Sequence, residues 1–108
     1  MTWTTYHRRE DAMRDVIAAV DARADGRLPM DLPGVAETFG DDKALLGALQ
    51  LGWHTALGGR IERELDRAPH DPEGAIAAAR RQTARELPGV RAVLDRYGER
   101  PCRPENAA

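Results

Sequence analysis

The sequence holds one cysteine, one lysine and five aromatic residues in 108 positions. No apolar run approaches the roughly 20 residues that a membrane-crossing helix requires. A single thiol, Cys102, excludes an internal disulfide staple. Bulky aliphatic side chains are scarce as well. Leu, Ile, Val and Phe together number 19, and 18 of the 45 apolar residues are alanine. So thin an apolar content accompanies disorder when the net charge is large. Here 16 basic residues stand against 18 acidic ones, which leaves −2. One small domain over 1–98 with an Ala-rich core and modest stability is therefore expected, followed by a flexible tail over 99–108. The opening Met1–Tyr6 runs into charge rather than into an apolar stretch, so no signal peptide and a cytoplasmic location are expected. Fifteen of the sixteen basic residues are Arg, which together with the Ala, Asp and Gly excess reads as the codon bias of a GC-rich bacterial genome.

Strand signals are nearly missing, and helical periodicity dominates. Met13, Val16, Ile17, Val20 and Ala24 recur at spacings of three and four, predicting a helix from about Tyr6 to Arg23. Thr4 or Thr5 is placed to cap it, Glu10 to pair with Arg14, and Asp25-Gly26 to stop it. Arg27 to Gly40 carries Pro29 and Pro33 and reads as a packed connector. Within it Pro33 opens a very short helix that turns Val35 and Phe39 inward. The strongest pattern follows: Leu46, Leu49, Trp53, Leu57, Ile61 and Leu65 form one face of a helix from about Asp42 to Arg67, capped at Gly40-Asp41. Gly58-Gly59 interrupts this helix and marks either a kink or a close approach of another backbone. Asp71-Pro72-Glu73 starts the next helix, on which Ile76, Ala79, Thr83 and Leu87 run to about Glu86. Pro88 begins a last one with Val90, Val93, Leu94 and Tyr97, ended by Gly98. The expected fold is an all-α compact bundle of two long and two or three short helices. Its core is expected around Trp53, with Leu46, Leu49, Leu57, Ile61, Val16, Ile17, Val20, Phe39, Ile76, Val93 and Leu94.

The run Phe39-Gly40-Asp41-Asp42-Lys43-Ala44-Leu45-Leu46-Gly47-Ala48-Leu49 resembles the segment that follows the DNA-reading helix in TetR-type bacterial regulators. Asp71-Pro72-Glu73-Gly74-Ala75 and Glu86-Leu87-Pro88-Gly89-Val90-Arg91 are similar to helix junctions in the bodies of such regulators. Loosely, the likeness covers Arg8 to Tyr97. It implies a small-molecule-binding helical body with Trp53 and His54 near a pocket. The departure is as informative as the match. Between Gly26 and Phe39 lie 12 residues, two of them proline, which leaves no room for a helix-turn-helix reading head. With Arg27 as the only base of that connector, sequence-specific DNA binding is not expected.

The chemistry-bearing residues favour structural readings. His7, Glu10 and Asp11 share a helical face at a spacing that suits a metal, but a third strong ligand is not evident, and no metal or cofactor is expected. His54 reads as a helix-surface histidine and His70 as part of an exposed loop. Gly58-Gly59 lacks the strand-turn-helix context of a phosphate loop. Cys102 has no paired base and Asp41-Asp42 reads as a cap, so no catalytic residues are assigned and an enzyme is not expected. Arg80, Arg81, Arg85 and Arg91 form a candidate basic surface, with Arg60, Arg63 and Arg67 as a second row, although acids interleave both. Asp31 to Asp42 is acidic, with four acids among its twelve residues, and reads as a polar loop. Trp53, His54, Gly58 and Gly59 form the candidate pocket or interface.

Two functions of different classes follow. The first is a non-catalytic regulatory or protein-interaction protein that acts through its helical faces, with a protein partner or with itself as a homodimer. That pairing would use what stays exposed of Leu45–Leu51 and Ala75–Ala79. The second is a small-molecule-binding TetR-like body, or a DNA-binding transcriptional regulator if a reading surface exists. A cavity of roughly 300 Å³ or more among the helices favours the ligand-binding body. A filled Ala-rich core counts against it.

Overall fold

The structure, a computed structural model, describes residues 3–98. Among them are five helices: α1 (Trp3–Arg23), α2 (Val35–Phe39), α3 (Asp42–Arg67), α4 (Pro72–Glu86) and α5 (Pro88–Tyr97). No strand occurs among the described residues, and the fold is all-α. The expected tail, with Cys102, lies outside them.

Local chemistry sets the boundaries. Asp41 is extended and its carboxylate accepts from the Ala44 N–H at 2.9 Å, while Asp71 accepts from Gly74 N–H at 3.1 Å with Pro72 at the first helical position. Four details differ from the sequence expectation. First, α1 is already helical at Trp3, so Thr4 and Thr5 lie inside it and do not cap it. Second, Ala24 ends α1 rather than extending its apolar stripe: it takes a left-handed φ of 53° while its N–H still donates to the Val20 carbonyl. Gly26 then turns the chain at φ 70°, buried so close to α5 that a Cβ would press on the Ala92 carbonyl oxygen at 3.1 Å. Third, Pro33 stands before α2, whose N-cap is Gly34. Val35 and Phe39 do turn inward. On α1, Arg14 pairs with Asp11 at 3.2 Å, not with Glu10.

The core gathers Val16 and Val20 of α1, Leu45, Leu49 and Trp53 of α3, and Val90, Val93 and Leu94 of α5. Two predicted faces are displaced. Four residues in an α-helix turn it about 400°, so a row stepping by four drifts by about 40° per step. The α3 row therefore leaves the core at its far end. Trp53 is buried, but Ile61 and Leu65 are half-buried, as is Leu46 at the near end, and Leu45 and Gln50 are buried in addition. On α4 the inward row is Ala75, Ala79 and Thr83, one residue out of step with Ile76, which is exposed. Small side chains let α4 lie close along α3, and the branched Ile76 is left on the outside. The α3–α4 pair is laced by polar contacts: Arg60 pairs with Glu86 and donates to Gln82 at 3.2 Å, and Gln82 donates to Glu64 at 3.0 Å.

Helix α5 is the centre of the arrangement, and side chains from other helices hold both its ends. Asp21 of α1 accepts from the Gly89 N–H at 2.7 Å, and the buried Gln50 of α3 donates to the Gly98 carbonyl at 3.1 Å. In this way α1 supplies the N-terminal cap that the Leu87 side chain does not, and α3 reinforces a C-terminus at which the Gly98 N–H already donates to the Leu94 carbonyl. It packs on α1, α3 and α4, and α2 bridges α1 and α3 from another side. Among the described residues, the backbones of α1 and α3 themselves nowhere approach within 8 Å, Cα to Cα.

Candidate functional site

Because α5 and α2 hold α1 and α3 apart, a groove runs between those two helices. Its volume is about 700 Å³, it is open along one side, and its lining is mainly apolar. Met13 and Ile17 form the α1 wall, Ala48, Gly52 and Ala56 the α3 wall, and Leu87 and Val90 the floor. Arg9 and Glu10 supply one positive and one negative group where α1 enters the wall. Leu51, which is 69% exposed, stands on the rim. The two features weighed in the sequence analysis, a cavity above roughly 300 Å³ and a filled core, are both present: the Val, Leu and Trp core is filled, and the groove lies beside it.

Trp53 connects the two. It is 1% exposed, it reaches the groove lining, and the Arg91 guanidinium stacks on its ring at 4.6 Å. Its indole N–H has no acceptor among the described residues. Arg91 is in turn held by Asp95, at 2.9 Å from Nε and 2.7 Å from a terminal nitrogen.

The other predicted site residues are dispersed. His54 is exposed and does not line the groove; Gly58 and Gly59 continue α3 without a break in the helix. Of the candidate basic surface, Arg80, Arg81 and Arg85 are exposed along α4, whereas Arg91 belongs to the Trp53 stack. The second row divides as well, since Arg60 is tied to Glu86 and Arg67 lies near Glu64 at 3.6 Å. In the acidic segment, Asp31 faces Arg23 across two hydrogen bonds of 2.8 and 2.9 Å. That guanidinium, chiefly through its hydrogen bonds, holds the Asp31 carboxyl below its ordinary range, and the carboxylate raises Arg23. His7 is half-buried, while Glu10 and Asp11 are exposed, and no cluster of three metal-ligating side chains occurs among the described residues.

Sequence reasoning missed the α1 wall, Met13 and Ile17, and the role of Leu51. Ile17 read as core and Met13 as part of the same apolar stripe, and only the separation of α1 from α3 opens their outer side. The glycine content of α3 was the available signal. Gly47, Gly52, Gly58 and Gly59 sit inside a 26-residue helix, and a Cβ on any of them would meet nothing within 4 Å. Relative to alanine the four together cost roughly 4 kcal/mol of helix propensity. No packing among the described residues requires it.

The chain matches no family model, no curated protein and no solved structure.

Proposed function

We propose that this protein is a non-catalytic interaction module whose working surface is the α1–α3 groove, and that the groove takes the apolar side of an amphipathic helix from a protein partner. One observation carries the reading: the backbones of α1 and α3 stay more than 8 Å apart, Cα to Cα, among the described residues, and an open apolar slot lies between them. Docking an amphipathic helix into such a slot is a recurrent recognition mode. The small residues of the α3 wall let a partner backbone come close, and Arg9 and Glu10 meet its polar side. The five-residue α2, in place of a reading head, supports the expectation that DNA sequence is not read by this chain alone.

A second reading is the small-molecule-binding body that the TetR resemblance implies. The volume of about 700 Å³ favours it, since drug-sized ligand pockets run from about 300 to 1,000 Å³. Affinity capture from native cell extract, with the wild-type chain and Gly52→Arg as paired baits, tests both. The Arg side chain would fill the slot without disturbing the fold. A partner retained by wild type and lost by Gly52→Arg supports the interaction module. A small-molecule adduct seen in the native mass spectrum of wild type alone favours the second reading. Equal capture by both baits overturns the groove as the site.

A further inference from the structure

Arg9 stands where the pattern of α1 calls for an apolar side chain. It precedes Val16 by seven residues and Val20 by eleven, steps that return to one face of a helix within about 20°. Both valines belong to the core. A charged group on that row calls for a counter-charge, and among the described residues no carboxylate pairs with Arg9. Its guanidinium instead lies over the ring of the buried Phe39, 4.8 Å from the centroid. The stack sets the cation in place at the α2 end of the groove and leaves the N–H groups on its edge for another acceptor. From Arg9 the α1 wall continues through Met13 and Ile17 at steps of four. That wall is about 12 Å long at 1.5 Å per residue, roughly the length of an eight- to ten-carbon chain. Glu10, the other charged residue of the lining, is turned about 100° from Arg9, away from the valine row and towards the outer edge of the wall.

The geometry points to an alkyl carboxylate of medium chain length as a ligand of this groove, with its head on Arg9 and its chain along Met13 and Ile17. This rests on the small-molecule reading of the groove and names the class of that molecule. One guanidinium offers two parallel N–H donors, which match the two oxygens of one carboxylate. A phosphate head would bring more negative charge than a single Arg offsets, with Glu10 close by. An alkyl ammonium would meet the like charge of Arg9, and an alcohol would leave most of its donors unused. The chain asks only for apolar contact. Met13 and Ile17 supply it from one side, and the small Ala48, Gly52 and Ala56 leave room for it on the other.

The test is an NMR titration of the isotope-labelled full chain at neutral pH, below micelle-forming concentrations. The probes are hexanoate, octanoate and decanoate, with octan-1-ol and octylammonium as controls. Affinity is expected to rise about two- to fourfold per added methylene. Octanoate should bind about tenfold or more tightly than either control, with backbone shifts concentrated in residues 9–17 and 48–56. Arg9→Gln should bring octanoate down to the level of octan-1-ol while the helical circular dichroism spectrum stays unchanged. Glu10→Gln should leave octanoate bound as tightly or more tightly. Gly52→Leu fills the slot without charge at an open position and should weaken all three carboxylates. Equal binding of octanoate and octan-1-ol in the groove overturns the carboxylate class and leaves the small-molecule reading standing. Octylammonium bound as tightly as octanoate overturns it as well, as does an Arg9→Gln variant that keeps the preference for octanoate. If none of the five probes binds, the inference falls, and the native mass spectrum of the wild type decides the small-molecule reading separately.

Discussion

Asp21 and Gly89, 68 residues apart, are joined by a hydrogen bond of 2.7 Å in which the carboxylate of α1 accepts the backbone N–H at the start of α5. The contact depends on the absence of a side chain. A Cβ at position 89 would overlap the backbone of Val20 and Asp21. Gly89→Ala must push α5 away from α1, at a cost of about 3 kcal/mol, the upper part of the overpacking range. Asp21→Ala removes the cap and costs about 1 kcal/mol. The double variant should lose less than the sum, because the first change already breaks the second's contact. Urea denaturation of the four chains measures all three quantities.

Trp53→Ala should cost about 3–5 kcal/mol, the range for an aromatic removed from a core. It also strips Arg91 of its stacking surface. In so small a domain the loss should lower the thermal midpoint by well over 10 °C, at roughly 4–8 °C per kcal/mol. A variant that melts like the wild type would mean that α3 presents another face to the core.

The Arg23–Asp31 pair predicts a pH dependence with a definite sign. The Asp31 carboxyl is held below its ordinary pKa, so its contribution is present above that value and is lost as the pH falls through the lower, folded-state one. Asp31→Asn should therefore melt lower than the wild type at neutral pH, and the gap should close in strong acid. The effect is small, because both side chains face solvent. Melting both proteins from pH 7 down to about 2, below the ordinary Asp pKa of about 3.9, checks it. A gap that widens in acid would contradict the assignment.

Much of the fold could be read from the residues themselves, because its signals are local. The Asp41 and Asp71 caps and the Pro72 and Pro88 helix starts act through neighbours in the chain, and each is where the sequence places it. What stayed hidden is set by contacts distant in sequence. Ile76 fits the period of α4 but lies outside, because the closer packing of Ala75 and Ala79 on α3 fixes the rotation of that helix. Ile76→Ala should accordingly cost less than about 1 kcal/mol. Gln50 is buried because the Gly98 carbonyl, far away in sequence, supplies its partner. The groove was the least legible feature. It results from the way α5 and α2 separate α1 from α3, and no stretch of chain carries that information alone.

The glycines of α3 allow stability and binding to be separated. Gly52→Arg replaces a poor helix former by a good one at an open position, and should raise the unfolding free energy by about 0.5–1 kcal/mol. It should at the same time abolish capture of the groove's partner. Thermal denaturation run beside the capture experiment reads both effects. A variant that gains stability and keeps its partner would show that the glycine is not maintained for the groove.

Hydrogen–deuterium exchange on the complex with its captured partner tests the groove most directly. If the groove is the binding surface, protection on binding concentrates in residues 9–17 of α1 and 48–56 of α3, and Gly52→Arg abolishes it. Protection confined to the outer face of α4, around Arg80, Arg81 and Arg85, with α1 and α3 exchanging as in the free protein, would contradict it.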